Sequence, residues 1–344
     1  MPLFFCFFDA YKQNFFPTIP KKGVFMCTAV LYKNLFGRNF DFEHGFGEEI
    51  VFLPRNFPLR FEKMPEMKRH NAIIGAAYVA EGTPLFYDCM NEHGLCAAAL
   101  NFPGNAVYMP EREGFHNLAS YEIMTWILAS CSNISEAKEK LKHINVLSTD
   151  FSKGLKSTPL HWIFADKTGS LVAEPLMEGF FVTENPVGIL TNSPVFNYHL
   201  ENLRNYANLS PEGTARSFGR SNGLLPQWKG GGSFGLPGDL SSPSRFIRAA
   251  FSKSVSASET PEEDLSQFFH ILSSVEQIKG TVRTEDGFER TIYSSAMDMD
   301  FGIYYYRTYE NSAVTAVDMK KENYESEDLR CRPFIKEPQI FHQN

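Results

Sequence analysis

The stretch "PLHWIFADKTGSLVAEPLMEGFFVTENPVGILTNSP", residues 159–194, constrains the fold more than any other part of the chain. Runs rich in aromatic and aliphatic residues are separated by an Asp-Lys-Thr-Gly turn and a Glu-Gly turn, a pattern that reads as three strands in a meander. Further strand-like text lies at "CTAVLY" from Cys27, "IVFLP" from Ile50, "AIIGAAYVA" (72–80) and "GLCAAALNF" (94–102). A late hairpin, "GIYYYRTYENSAVTAVDM", is expected to turn at Glu310-Asn311.

Helical text falls between these blocks. Residues 120–130 carry apolar side chains at helical spacing, and 134–143 is led by Asn133 with Glu136 three residues on, a capping-box pattern. Ser242-Pro243 and Thr260-Pro261 open two more helices, the second closed by Gly280. Antiparallel strand blocks alternating with paired helices predict an α+β layered domain, not β-α-β winding. No internal repeat is visible. Residues 202–240, rich in Gly, Ser, Asn and Pro and ending in "GGGSFGLPGDL", are too long for a plain connection and read as a functional or assembly arm.

Composition narrows the function classes. The 344 residues are 43% hydrophobic and 21% charged, the balance of a well-cored globular protein. Net charge is −7 with no block of Lys or Arg, which argues against nucleic acid or an anionic membrane as partner. No apolar run reaches the ~20 residues that span a bilayer. The N-terminal "MPLFFCFFDAYKQNFFP" lacks a basic region and a small-residue cleavage site, and Asp9 interrupts it, so it is a poor signal peptide. The six cysteines are scattered, with no C-x-x-C and no His at metal-ligand spacing. Reduced thiols, a cytoplasmic location and the absence of a metal or other cofactor are the expectation. The 32 Phe and 14 Tyr are a surplus that some β-rich proteins use to line a pocket for a bulky apolar ligand.

One stretch singles out a thiol. In "KKGVFMCTAVLY" (21–32), Met26-Cys27-Thr28 reads like the start of a mature chain. Lys-Lys-Gly-Val can be encoded by a purine-rich ribosome-binding site just ahead of an ATG for Met26. Residues 1–25 are then expected to be the conceptual translation of an upstream leader ahead of a misassigned start, or alternatively a self-cleaved propeptide, with 26–344 the catalytic domain. Trimming of Met26 would leave Cys27 first, with a thiol and a free α-amine on one residue. An α-amine of pKa about 7.7–8.0 beside a thiol of about 8.5 supplies a nucleophile with its own base.

From Met26 onward the motifs "MCTAV" (26–30), "FGRNFDFEHGFGE" (36–48), "MNEHGLCAAALNFPG" (90–104), "LHWIFAD" (160–166), "VGILTNSPVFNYHL" (187–200), "GLPGDLSSPSRFIRAAF" (235–251) and "GIYYYRTYENSAVTAVDM" (302–319) together resemble the choloylglycine hydrolase family. These are N-terminal nucleophile hydrolases that include bile salt hydrolases and penicillin V acylases. The resemblance implies a four-layer αββα fold of two stacked antiparallel sheets between helix layers. It also implies an amidohydrolase cleaving glycine- or taurine-conjugated bile salts through a thioester. Cys27 matches the nucleophile, Asp41 the carboxylate that holds its amine, and Arg38 the arginine near the thiol. Asn192 matches the oxyanion-hole amide, and Asn101 the position whose backbone N–H completes that hole. Arg245 matches a second site arginine that stabilises charge in the transition state.

Bile salt hydrolases tend to have Asn at position 101 where penicillin V acylases have Tyr. Phe40 and Phe46, with the loops at 79–84 and 147–157, are the expected walls of a steroid pocket. Segment 202–240 resembles an assembly loop and implies a homotetramer. The stretch from Cys27 to Arg38 is about three residues shorter than is usual in the family, and the tip of the first hairpin is where the missing piece is expected. Penicillin V acylase, acyl transfer to an amine, and an inactive bile-acid-binding homologue are the alternatives.

Overall fold

The computed structural model describes residues 26–212, 221–223 and 229–344. The expected leader, 1–25, lies outside them, as do two pieces of the expected assembly arm, 213–220 and 224–228.

Two antiparallel sheets form the centre. The first runs, in spatial order, Ile189–Leu190, Cys27–Tyr32, Leu35–Phe42, Phe288–Asp298, Ile303–Thr308 and Thr315–Asp318, with Val282–Arg283 paired onto the start of the long strand. The second runs Gly179–Glu184, Gly169–Leu176, Leu160–Asp166, Cys96–Asn101, Thr83–Asn91, Ile73–Ala80, Glu49–Leu53 and Arg330–Pro333. The meander expected at 160–184 is therefore three neighbouring strands of the second sheet, and the late hairpin pairs Tyr306 with Thr315 around residues 309–314.

Strand alternation assigns the layers. Along Leu160–Asp166, Ile163 and Ala165 join the core between the sheets, whereas Trp162 and Phe164 face outward. The outward face is covered by the helices Ile123–Ser130 and Ile134–Leu141. The helices Ser242–Val255 and Pro261–Ser273 cover the far side of the first sheet. The result is helix, sheet, sheet, helix, the αββα order expected. Asn133 caps its helix as read, its side chain accepting from Glu136 N at 3.0 Å. The helix opened by Thr260 ends at Ser273, well short of Gly280: beyond it the bonds tighten to i→i−3, Val275 N to Leu272 O and Glu276 N to Ser273 O. One small parallel pair, His116–Ala119 with Ile144–Leu147, is joined by the first two helices, a local crossover in an otherwise antiparallel architecture.

The short first hairpin closes through a two-residue turn, Lys33-Asn34, with Lys33 at φ 53°. Its register is unbroken from Tyr32↔Leu35 to Cys27↔Phe40, so the brevity is confined to the tip. Gly37 lies where the backbone of Ser295 and Ala296 crosses it, and a Cβ there would overlap the Ser295 carbonyl.

A polar clamp ties the sheets together. Asp88, fully buried in the second sheet, accepts from Tyr293 Oη and Tyr304 Oη of the first, both at 2.6 Å. Removing the carboxylate would strand two buried phenols and a nearby guanidinium, that of Arg38. Asp88→Ala is expected to lower the unfolding free energy by about 3 kcal/mol or more, read from urea denaturation at unchanged m-value.

Candidate active site

Cys27 opens the strand Cys27–Tyr32. Residues paired directly across two antiparallel strands share a face, so Cys27 with Phe40 and Ala29 with Arg38 look toward the second sheet, and Thr28 with Asn39 toward the helices. Arg38 spans the gap: its Nη1 donates to Tyr87 O at 3.0 Å and Ala99 O at 2.6 Å.

The main chain of Cys27 is held from both ends. Its N–H donates to Asn192 Oδ1 at 2.7 Å, and its carbonyl accepts from Arg245 Nη1 at 2.6 Å. Arg245 also donates to Thr28 Oγ1, Leu240 O and Asn192 Oδ1. Two donors converge on that Asn192 atom, which identifies it as the oxygen. Asn192 Nδ2 then faces Asn101 O at 2.8 Å.

Strand geometry explains why Asn101 is free to receive it. Phe102 N bonds to Pro159 O, and Leu160 N donates to Tyr108 Oη instead of its register partner Asn101. Asn101–Leu160 is thus a pair without ladder bonds, and the Asn101 N–H and C=O turn to the opposite side, toward Asn192.

Asn192 itself sits just after Ile189–Leu190. Its N–H donates to Ser242 Oγ at 2.9 Å, at the head of the helix that carries Arg245. Its carbonyl accepts from His199 Nε2 at 3.0 Å.

The electrostatics follow from burial. Loss of solvent pushes the Cys27 thiol up, the Arg38 guanidinium draws it back down, and the Asp41 carboxylate pushes it up again. Burial lifts Asp41 to about 7 against the pull of Arg245 and of Thr291 Oγ1, which donates to Asp41 Oδ1 at 2.6 Å. Asp41 Oδ2 has no partner among the described residues. Glu289 is buried too. Its Oε1 accepts the Met26 N–H at 2.7 Å, and burial next to Asp41 pushes it up to about 8.

Cys27, Asn192, Asn101 and Arg245 are therefore joined by direct hydrogen bonds; Arg38 acts on the thiol through its charge, and Asp41 through its charge and a hydrogen bond from its backbone N–H. Several details differ from the sequence reading. In a chain where Met26 precedes Cys27, the single Cys27 N–H goes to Asn192, while the hold expected of Asp41 is on the free α-amine that only a first-residue Cys27 has. Arg245 is spent on holding Cys27 and Asn192 in place. Phe40 is buried against Tyr87 and Tyr293 and closes the core beside the thiol rather than lining an open wall. Phe46, 39% exposed and edge-on to Phe42, remains available as a rim. The loops near 83 and 151 do meet, in a cavity of about 250 Å³ with Leu59, Phe61, Tyr121 and Glu122, but none of the six site residues lines it. Sequence reading missed Glu289, Thr291, Ser242 and His199.

Residues 27–332 match the family of linear amide C–N hydrolases, choloylglycine hydrolase family. A bile salt hydrolase/transferase from Lactiplantibacillus plantarum is 45% identical over 324 residues, covering 93% of this chain and all of that protein. The crystal structure of a mutant conjugated bile acid hydrolase from Clostridium perfringens is 36% identical with a TM-score of 0.84, over 92% of this chain and all of that one. A penicillin V acylase from Agrobacterium tumefaciens, 19% identical with a TM-score of 0.70 over 89% of this chain and 90% of that one, shares the fold. The chain belongs to the choloylglycine hydrolase family, and is an amide hydrolase of the linear amide C–N type.

His199 yields a pH prediction. A carbonyl can only accept, so Nε2 carries the proton, and burial lowers the ring to about 4 from 6.5. The unfolded chain takes up this proton below about pH 6.5 and the folded chain only below about 4. Stability is therefore lost as pH falls through that window, by about 2 kcal/mol at pH 5. His199→Phe, which keeps an aromatic ring against Phe246, is expected to flatten that part of the stability–pH curve.

Proposed function

We propose that this protein hydrolyses the amide that joins a bile acid to glycine or taurine, with Cys27 as the N-terminal nucleophile of a chain from which residues 1–26 are gone. The observation that carries this reading is the two-ended hold on Cys27, by Asn192 Oδ1 at its nitrogen and Arg245 at its carbonyl, with Arg38 acting on the thiol. The substrate class is supported by relatives named for bile salts and conjugated bile acids. Asn at position 101 points the same way.

The chemistry would run in two halves. The thiol adds to the amide carbonyl carbon as its proton passes to the Cys27 α-amine. The negative charge on the carbonyl oxygen would be met by the Asn101 N–H and the remaining hydrogen of Asn192 Nδ2, an arrangement whose donors are worth about 2.7–4 kcal/mol each elsewhere. The ammonium then returns the proton to the leaving nitrogen as the C–N bond breaks, and glycine or taurine departs. Water adds to the thioester with its proton taken by the same amine, the C–S bond breaks, and the bile acid leaves as the thiol is restored.

A second reading has an amine, not water, accept the acyl group, and the L. plantarum relative is named a transferase as well as a hydrolase. The same thioester serves both outcomes, so the split depends on which nucleophile reaches it.

Protein expressed from Met26 is expected to have the mass of a chain beginning at Cys27 and to release glycine and taurine from glycocholate and taurocholate faster than it opens penicillin V. Chain that keeps residues ahead of Cys27 has no α-amine, and its turnover is expected to fall by ~10²–10⁴-fold, the usual worth of a positioned general base. Faster penicillin turnover would assign an acylase, and N-acylated products in excess amino acid would assign the transfer reading. Silence on every substrate with Cys27 verified as first residue would overturn the proposal.

A further inference from the structure

We propose that Glu289 is the counter-charge of the mature α-amine, a positioning residue that fixes how readily the amine of Cys27 gives up and takes back its proton. The inference rests on the reading that Cys27 becomes the first residue.

Glu289 is the second residue of the long strand Phe288–Asp298 and is fully buried. Its Oε1 takes the Met26 N–H, a contact that disappears when Met26 is removed, and its Oε2 has no partner among the described residues. The register Thr291↔Asp41 and Arg290↔Phe42 puts Glu289 and Thr291 on the same face as Asp41 and Glu43. Asp41 Oδ2 and Glu43 Oε1 also lack partners among the described residues. The charges acting here come from every neighbouring element. Arg245 approaches from the helix Ser242–Val255, and Glu276 from just beyond the helix Pro261–Ser273. Arg38 and the Cys27 thiol belong to the first hairpin. Buried acids outnumber buried cations: burial raises both Asp41 and Glu289, and the charges of Asp41 and Glu43 raise Glu289 further.

The missing cation is the one that processing creates. A residue spans at most about 3.6 Å from one nitrogen to the next. With the Met26 nitrogen 2.7 Å from Glu289 Oε1, the Cys27 nitrogen lies within about 6 Å of that oxygen, the reach of one bridging water. The space left by Met26 would admit such a water between the ammonium and the carboxylate. Asn192 Oδ1 already holds the other side of the same nitrogen. An anion at this range favours the protonated amine.

The test uses protein verified by mass to begin at Cys27, in wild-type, Glu289→Gln and Glu289→Asp forms. Two profiles are measured against pH. One is kcat/KM for taurocholate, whose sulfonate does not titrate in this range. The other is the rate at which iodoacetamide alkylates Cys27, which needs no substrate. Loss of the carboxylate lowers the amine's proton affinity, so Glu289→Gln is expected to move the acidic limb of both profiles downward by ~1 pH unit. Glu289→Asp is expected to keep the limb near its wild-type position. A Glu289→Gln limb that stays in place while rates fall by the same factor at every pH would mark a purely structural role and overturn the inference. If wild-type protein fails on bile salts, the alkylation profile still decides the role of Glu289, so the two readings fail separately.

Discussion

The side-chain amide of Asn192 stands between the two sheets at the place where the thiol is. Its oxygen takes the N–H of Cys27 from the first sheet, and its nitrogen gives to the carbonyl of Asn101 in the second. A terminal amide can bridge in this way only while it cannot rotate. Ser242 and His199 pin its own backbone, and Arg245 fixes which end is oxygen. One side chain thus joins the two sheets beside the thiol, and its backbone is tied to the head of the helix Ser242–Val255.

The two buried arginines divide the work. Arg245 is committed to neutral acceptors and acts as a bracket. Arg38 leans on carbonyls of the second sheet and leaves its charge near the thiol, balanced from behind by the Asp88 clamp. Charge so far from water is retained only with such partners. Burial still outweighs Arg38 at Cys27, so the thiol stays protonated until a base is present to take the proton. An enclosed thiol of this kind is chemically quiet in the unprocessed chain.

The α+β class, the meander and the helix starts were legible because they are local: alternation, turn residues and caps act within a few positions, whereas the αββα layer order came with the family resemblance. The six site residues were found through family motifs, and nothing in their spacing alone would have gathered Cys27, Asn101, Asn192 and Arg245 into one place. The strands Thr83–Asn91 and Phe288–Asp298 were not read as strands, and Leu35–Phe42 was read only as the second arm of the first hairpin. Leu35–Phe42 and most of Phe288–Asp298 are buried on both faces, and "FGRNFDF" and "ERTIYSSAMD" carry charged and hydroxyl residues on the face that packs against helices. Alternation is the signal for a half-buried strand, and these lack it. Glu289 escaped notice for a related reason, since an acidic residue near a strand end is ordinarily a solvated one.

The hairpin that carries Cys27 is made of adjacent sequence, but its enclosure is not. Ile189–Leu190 flanks it on one side and Phe288–Asp298 on the other, with Asn192 and Arg245 arriving from between. During synthesis at ~5–20 residues per second, tens of seconds pass between the emergence of Cys27 and that of the strand that seals it. For that interval Met26 and Cys27 have no roof. If Cys27 becomes the first residue as proposed, enzymes that trim nascent chains would meet the segment before the protein has hidden it, and the order of the strands along the chain would work as a timer for that maturation.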